Sequence, residues 1–270
     1  MNHPRDGAGV SRPALVKLGG SVLTDKARKS TFRRGTTKRL VAEAAKAGVP
    51  LVLLHGAGSF GHPQAAQAGI GRVPVDDRLR GDVSAVLAAV GRLHADVVAL
   101  AEEAGLRPVS VPLHLTARGE GDQLVDVPVE RIARLLEEGH TPVLSGTLVR
   151  DDVLGWRVAS ADEILQCLAE ELAPRLALFV TDVDGVFDRH PEAPGAELLA
   201  TVHGAAQADQ VAAFAEGPGD DVTGRMRGKL LRAVAVAELC PVLVINGTVR
   251  GRLLEALKGK RVAATRVEAG

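Results

Sequence analysis

The sequence of 270 residues contains no tyrosine, one tryptophan and two cysteines. Cys167 and Cys240 lie far apart, each within an apolar stretch. Their spacing matches neither a zinc site nor a disulfide framework, so both kinds of site are excluded and a reducing compartment is indicated. The N-terminal segment MNHPRDGAGVSRP has no apolar core, so we expect no signal peptide and a cytoplasmic location.

The chain also lacks an excess of charge of either sign. Lys and Arg number 33, Asp and Glu number 33, and the formal net charge is +0. A neutral chain has no extended field that attracts polyanions, so we expect neither nucleic acid nor an anionic membrane surface as a partner. No apolar run reaches the roughly 18 residues that a membrane span requires, so we expect no such span.

Apolar runs typical of buried strands alternate along the chain with segments of helical periodicity. The longest helical segment covers about residues 77–104, and its apolar residues recur on one face. This alternation predicts an α/β fold, a three-layer αβα sandwich around a central, mostly parallel sheet. We expect residues 1–12 to form a disordered tail and residues 13–270 to form one domain. A loop-rich stretch should separate the strand at 176–187 from a helix near 223–238.

Five of the predicted strands end in glycine or polar residues. These strand ends are LVKLGGS, LLHGAGSFGH, VLSGT, FVTDVDG and VING. In an open parallel sheet, ligands bind outside the carboxyl ends of the strands, where such residues meet. The shared composition of the five ends therefore predicts one crevice that holds a small-molecule ligand.

Two of the strand ends form glycine-rich loops, Lys17–Ser21 and Gly56–Gly61. Glycine permits a positive φ and lets an anion approach the backbone N–H groups closely, so the loops predict a ligand with several phosphates or two phosphorylated ligands. Neither loop has the spacing of a Walker loop or of a dinucleotide fold. His62 follows the second loop, and the residues alone leave open whether it contacts a phosphate or lies on the surface beside a turn.

Lysines near these loops indicate phosphoryl transfer, in which positive charge stabilises the oxygens of the transferred group. Lys17 lies within an apolar strand and therefore needs a carboxylate or phosphate partner. Lys26 and Lys229 are further candidates. The segment SADE matches a capping box, which predicts a structural role for Glu163. Asp162 beside it either complements the helix dipole or holds the lysines in place.

The two loops, TDVDG and DVTGRMRGK together resemble the motifs of the amino acid kinase superfamily, over residues 14–267. Within it, LVKLGGSVLTDK and HGAGSFGHP are similar to the isopentenyl phosphate kinase family, and the histidine is also typical of the related fosfomycin kinases. The resemblance implies ATP-dependent phosphorylation of isopentenyl phosphate to isopentenyl diphosphate. It further implies Mg²⁺ that accompanies ATP without a cage of protein ligands, and a homodimer. The acceptor side would lie in about residues 13–172 and the ATP side in about residues 173–270.

The same resemblance implies roles for single residues, none of them a metal ligand. The catalytic residues would be Lys17, Lys26, His62, Asp162 and Lys229. The nucleotide would be bound by Lys17, Gly19, Gly20, Ser21, Gly58, Thr181, Asp182, Asp184, Gly185, Gly224, Met226 and Lys229. The acceptor phosphate would be bound by Gly56, Ala57, Gly61 and His62, and Gly146 would be a further substrate-binding residue.

Three places depart from the family pattern. Ala57 and Arg225 each replace a glycine, and Ser145-Gly146-Thr147 replaces His-Gly-Asp. The small residues of the helix after the second loop predict a roomy apolar pocket for the tail of the substrate, unless they pack against a neighbouring helix. These residues are Ala85, Ala88, Ala89 and Gly91.

Two alternative functions stay open at this point. A fosfomycin-type phosphonate kinase would keep the fold and change the acceptor. A nucleotide-binding sensor or storage protein would keep the fold and lack catalysis. Lysines and a carboxylate at all four of Lys17, Lys26, Asp162 and Lys229 favour an enzyme, since a binding protein does not need them all.

Overall fold

The computed structural model describes residues 12–25, 27–71, 80–121, 123–215 and 225–270. Most of the predicted tail, Lys26 and Gly224 lie outside these ranges, and so do the side chains of His62 and Met226. Arg12, the last residue of the predicted tail, donates a hydrogen bond from Nε to the carbonyl of Ala173.

The strands and helices follow one another much as the apolar pattern predicts. The strands are, in chain order, β1 (Ala14–Leu18), β2 (Leu51–His55), β3 (Pro108–Ser110), β4 (Arg118–Glu120), β5 (Gln123–Val125), β6 (Thr141–Ser145), β7 (Thr147–Asp151), β8 (Gly155–Ala159), β9 (Leu176–Thr181), β10 (Thr201–His203), β11 (Val242–Asn246) and β12 (Ala264–Glu268). The helices are α1 (Gly20–Leu23), α2 (Arg34–Ala47), α3 (His62–Ala68), α4 (Arg80–Glu103), α5 (Val129–Glu137), α6 (Ala161–Leu172), α7 (Gly204–Ala215), α8 (Arg225–Ala237) and α9 (Arg252–Leu257).

The main sheet has the strand order β10-β12-β11-β9-β1-β2-β6-β3. Within the described ranges its neighbouring strands run parallel, except for the antiparallel pair β11–β12. The predicted mostly parallel sheet is confirmed. Every described strand of residues 173–270 lies on one side of the β9–β1 contact, and the main-sheet strands of residues 13–172 lie on the other.

Helices cover both faces of this sheet, so the three-layer sandwich is confirmed. Side chains alternate between the faces along each strand. Leu15 of β1 and Phe179 of β9 belong to the core formed with α5, α6, α7 and α8. Val16 and Leu178 belong to the core formed with α1, α2, α4 and α9. The alternation directs Lys17 to the same face as Leu15, beneath α6 and α8.

Helix α4 combines the length and composition of a possible membrane span with an apolar face that is buried in the core. An 18-residue window within Gly81–Glu103 has a mean hydropathy of 1.6, so by length and composition alone this helix could span a membrane. Its predicted apolar face packs in the core, where Val90, Leu93, Val97 and Leu100 are buried.

The stretch after β9 is less loop-like than the sequence suggests. Residues 201–203 form β10, which pairs with β12, and residues 204–215 form α7. A strand of three residues is too short to show a period, and α7 is rich in alanine, so its hydrophobic pattern is weak. The hairpin of β7 and β8 forms as predicted and belongs to a second sheet of order β5-β4-β7-β8.

Candidate active site

The five polar strand ends lie side by side, because β11, β9, β1, β2 and β6 are consecutive in the sheet. The first glycine after four of these strands donates its N–H to a residue at the end of the neighbouring strand. The hydrogen bonds are Gly247 N to Thr181 O (2.7 Å), Gly19 N to Val180 O (2.8 Å), Gly56 N to Leu18 O (2.9 Å) and Gly146 N to His55 O (2.9 Å). The N–H groups of Gly19, Gly56 and Gly146 therefore continue the sheet and are already paired with carbonyl groups. The contacts of these three glycines with the substrates stay a prediction.

The two glycine-rich loops touch each other through their backbones. A Cβ atom on Gly20 would lie 2.6 Å from the Cα of Gly58, and one on Gly56 would lie 2.9 Å from the N atom of Gly20. Gly58 also has a φ of +49°, which favours glycine. The glycines are thus required for close contact between the loops as well as for any approach of a ligand.

Each glycine-rich loop has backbone N–H groups that are not used by the sheet. A helix leaves its first N–H groups without carbonyl partners. In the described part of the chain, the N–H groups of Gly20 and Ser21 donate to no backbone acceptor, and neither do those of Ala57 and Gly58 in the second loop. These four N–H groups are available to bind phosphates.

Ala57 turns its methyl group into the protein. Its side chain is 7% exposed and packs with Val86 and Val90 of α4. A Cβ on Gly61 would lie 2.7 Å from the Cβ of Ala57 and 3.0 Å from Val90 Cγ2. The departure from the family pattern at Ala57 thus fills a buried space and makes a side chain at residue 61 difficult to fit.

The structure brings Lys17, Asp162 and Lys229 together from three elements. Lys17 Nζ, at the end of β1, lies 2.8 Å from Asp162 Oδ1 in the first turn of α6. Lys17 and Lys229 of α8 line the same small cavity, with Thr181, Gly185 and Val186. Burial alone would raise the pKa of Asp162, but the ammonium groups of Lys17 and Lys229 outweigh it and hold the pKa below its usual value. Lys17 thus has the carboxylate partner that its burial requires.

The start of α6 is fixed by a capping bond and a buried ion pair. Ser160 Oγ accepts a hydrogen bond of 3.1 Å from Glu163 N, so the predicted cap is confirmed. The Glu163 carboxylate does not complete the capping box; it accepts hydrogen bonds of 3.0 and 3.1 Å from Arg157 of β8. Arg157 also donates to the carbonyl of Gln123. This network ties the first turn of α6, and with it Asp162, to the second sheet.

The residues after β9 contact the end of β11 and the start of α9. Asp184 Oδ1 accepts hydrogen bonds from Asn246 Nδ2 at 3.1 Å and from Arg252. These two hydrogen bonds lower the pKa of Asp184. Thr181 Oγ1 donates to Asp182 Oδ1 at 3.2 Å.

Gly185, next in the same segment, is packed too tightly for a side chain. A Cβ on Gly185 would lie 2.4 Å from Thr265 Oγ1. Sequence reasoning missed Arg252 and Thr265, since neither belongs to a recognisable motif. Asn246 was only part of a polar strand end.

A buried histidine of β2 also escaped prediction. His55 is fully buried, with Nε2 2.9 Å from His94 Nδ1, and His94 Nε2 lies 2.7 Å from Ser110 Oγ. His55 Nδ1 lies 3.2 Å from the carbonyl of Gly56, which only accepts, so His55 donates to it, His94 to His55 and Ser110 to His94. Burial first, and then His94, lower the pKa of His55 to about 3, and burial lowers that of His94 to about 4. Both rings are neutral at pH 7.

Four predicted site residues are described only in part or not at all. His62 begins α3, but its side chain lies outside the described residues. Met226 lies in the first turn of α8, again without a described side chain. Lys26 and Gly224 lie outside the described ranges.

The predicted pocket for the substrate tail is not formed by the residues proposed for it. Ala85, Ala88 and Gly91 are exposed, and Ala89 is buried in the core. The reason is the rotation of α4, whose larger apolar side chains face the protein. An apolar cluster does lie beside the second loop, formed by Ala57, Ala65, Ile70, Val83, Val86, Val90 and Leu148.

Comparison with known proteins agrees with this geometry. The sequence model of the "Amino acid kinase family" matches residues 12–246. The chain is 31% identical to the isopentenyl phosphate kinase of Methanothermobacter thermautotrophicus over 263 residues, which is 94% of this chain and 98% of the relative. It is 35% identical to that of Haloferax volcanii over 82% of this chain and 87% of the relative.

Solved structures give the same result. An isopentenyl phosphate kinase structure superposes with a TM-score of 0.82 at 30% identity, covering 94% of this chain and 99% of the other. The product complex of the Thermoplasma acidophilum isopentenyl phosphate kinase superposes with a TM-score of 0.78 at 28% identity, covering 95% of this chain and all of the other.

Proposed function

The chain belongs to the amino acid kinase family, and we propose from this premise that it is an isopentenyl phosphate kinase. It transfers the γ-phosphoryl group of ATP to isopentenyl phosphate and releases isopentenyl diphosphate and ADP. The observation that carries a phosphoryl-transfer function is the cluster of Lys17, Asp162 and Lys229 at the strand ends. The relatives' shared name supports the acceptor, since they match nearly the whole chain.

In phosphoryl transfer the protein mainly positions the substrates and supplies positive charge. An oxygen of the isopentenyl phosphate forms a bond to the γ-phosphorus while the bond from that phosphorus to the β–γ bridging oxygen breaks, and ADP takes up the negative charge. Lys17 and Lys229 would stabilise this charge. Because Asp162 Oδ1 lies 2.8 Å from Lys17 Nζ and both side chains are largely buried, the ammonium group is oriented before the substrates bind.

The backbone donors would divide the phosphates between the two loops. Gly20 and Ser21, at the start of α1, would bind ATP phosphates, and Ala57 and Gly58 would contribute N–H groups on the acceptor side. His62 begins α3 directly after the second loop and would contact the acceptor phosphate. These roles rest on the resemblance and on the positions of the backbone.

Magnesium fits this site only as a companion of ATP. In the described part of the chain, no group of three or more His, Cys, Asp or Glu side chains could hold a metal. Mg²⁺ is usually bound through substrate phosphates and one or two carboxylates. When bound, it would neutralise charge on the ATP phosphates. The homodimer, the cytoplasmic location and the absence of nucleic-acid or membrane partners likewise stay predictions.

The experiment that tests the function is ATP consumption by the purified protein with a panel of acceptors. Isopentenyl phosphate should give the highest kcat/KM, and mass spectrometry should detect isopentenyl diphosphate. Activity with fosfomycin alone would replace the acceptor by a phosphonate. ATP binding without turnover of any acceptor would favour the non-catalytic alternative.

A further inference from the structure

A single buried hydroxyl group joins the two glycine-rich loops. Thr24, directly after α1, has no exposed surface. Its Oγ1 atom donates a hydrogen bond of 2.7 Å to the carbonyl of Gly20 and accepts one of 3.0 Å from the N–H of Ser59. Gly20 belongs to the loop on the ATP side and Ser59 to the loop on the acceptor side.

The two loops are packed tightly against each other around this hydroxyl group. A Cβ on Gly58 would lie 2.2 Å from Thr24 Oγ1 and 2.9 Å from Thr24 Cγ2. The backbone of Gly20 contacts that of Gly58 in the same place. The position of one loop relative to the other is therefore set by the Thr24 side chain and by direct backbone contact.

Ser59 also holds the segment that follows Thr24. The carbonyl of Ser59 accepts a hydrogen bond of 3.2 Å from Ser30 N, and its Oγ accepts one of 3.3 Å from Thr31 N. Gln64 of α3 donates from Nε2 to the same carbonyl at 3.3 Å. Residues on both sides of Lys26 and the helix that begins with His62 are thus tied to one point beside Thr24.

We infer that Thr24 is a positioning residue that fixes the separation of the ATP phosphates from the acceptor phosphate. The inference rests on the proposed kinase function. The hydroxyl is neutral, and both of its hydrogen bonds are to backbone groups. It would therefore contribute to catalysis by setting the distance between the substrates and not by stabilising charge. Phosphoryl transfer requires the attacking oxygen and the phosphorus to be held about 3–3.5 Å apart and in line, and small displacements are costly in rate. Loosening the loops should therefore lower kcat while each substrate still binds its own loop.

The test compares Thr24→Val, which keeps the shape and loses the hydroxyl, with Thr24→Ser, which keeps the hydroxyl. We expect kcat of Thr24→Val to fall about 10- to 100-fold, with both KM values within about threefold of the wild type, and Thr24→Ser to retain most of kcat. Thr37→Val is the matched control, because Thr37 is equally buried and its Oγ1 donates to the carbonyl four residues earlier at 3.1 Å. That acceptor belongs to Arg33, the residue directly before α2, so this hydrogen bond does not join the two loops. Its kcat should not change.

A second measurement does not depend on turnover. A bisubstrate analogue, adenosine joined to the isopentenyl group by a polyphosphate chain, spans both loops. Its affinity should fall more in Thr24→Val than the affinities for ATP and isopentenyl phosphate measured separately. If Thr24→Val does not fold, Thr24→Cys replaces it, since a thiol is only a weak hydrogen-bond donor.

Two outcomes overturn the inference while the wild type is active: an unchanged kcat in the variant without the hydroxyl, or an equal loss in Thr24→Ser, which would assign the effect to packing. A wild type without isopentenyl phosphate kinase activity refutes the proposed function itself, and the inference with it.

Discussion

The Nζ atom of Lys17 lies 2.8 Å from the Oδ1 atom of Asp162, and the two side chains are 7% and 15% exposed. Charges in such a site are stable only when paired, so removal of one leaves the other in a poorly solvated position. Asp162 lies in the first turn of α6, 145 residues after Lys17 in the sequence, and the fold brings the two side chains together.

Asp162→Asn should therefore lower both activity and stability. The amide cannot balance the ammonium groups of Lys17 and Lys229, so we expect kcat to fall by about two orders of magnitude and the free energy of unfolding to fall by about 3 kcal/mol. Steady-state kinetics and urea denaturation measure the two effects. Glu130→Gln is the control, since Glu130 also lies in the first turn of a helix but is exposed. Equal effects in both variants would assign Asp162 to the helix dipole.

Gly61 and Ala57 should be coupled in stability. Gly61 has an ordinary negative φ of −125°, so only space prevents a side chain there. Gly61→Ala should cost about 1–3 kcal/mol, and Ala57→Gly should recover part of this in the double variant. The measurement is a double-mutant cycle of unfolding free energies.

The control for this cycle lies on α4. Apart from its chain neighbours and the backbone of its own helix, no atom of the described residues lies within 4 Å of a Cβ built on Gly91. Gly91→Ala should therefore stabilise the protein by about 0.5–1 kcal/mol through the higher helix propensity of alanine. Purely additive effects of Gly61→Ala and Ala57→Gly would mean that the neighbouring backbone shifts to relieve the contact.

The strand ends were predictable because two strong signals agree. Apolar runs of five or six residues mark buried strands, and parallel strands place their carboxyl ends at one edge. What the pattern could not give is strand order, and it is the contact between β9 and β1 that brings Lys17 close to the segment after β9. The same pattern could not place β10, whose three residues carry no period.

The glycines show a second limit of sequence reasoning. Because glycine has no Cβ, either an anion or another backbone segment can approach it closely, and the sequence does not show which of the two does so. At Gly19 and Gly56 the structure favours the second, since their N–H groups continue the sheet. The hydrogen bond between His55 and His94 was missed for a different reason: His94 lies on α4, 39 residues further along the chain, and only the fold shows that the two rings meet.

His55 should make the protein sensitive to mild acid. Its pKa is about 3 in the folded protein and about 6.5 in the unfolded chain, so between these values only the unfolded chain binds the proton. The titration of His55 therefore does not affect the free energy of unfolding above pH 6.5, and it lowers the free energy of unfolding as the pH drops below 6.5. The cost at pH 5 is about 2 kcal/mol, from 1.36 kcal/mol for each of 1.5 pH units.

Urea denaturation at pH 7 and pH 5 checks this prediction in the wild type and in His55→Gln. The variant removes the titrating ring, so its loss of stability between the two pH values should be smaller by about 2 kcal/mol. His190→Gln is a suitable control, because His190 lies in a partly exposed loop. The same loss in His55→Gln and the wild type would contradict the assignment to His55.

Arg252 should act on the nucleotide through Asp184. Its guanidinium group and the amide of Asn246 both hold the Asp184 carboxylate, which follows β9 in the half of the sheet assigned to ATP. Arg252→Lys keeps the charge but loses the planar fork, so the segment after β9 should loosen. We expect the KM for ATP to rise about three- to tenfold while the KM for isopentenyl phosphate stays the same, because the acceptor loop lies beyond β1.

Arg266→Lys, at an exposed position of β12, is the control and should change neither KM value. A parallel rise of both KM values would show instead that Asp184 and Arg252 stabilise the whole crevice and do not distinguish its two sides.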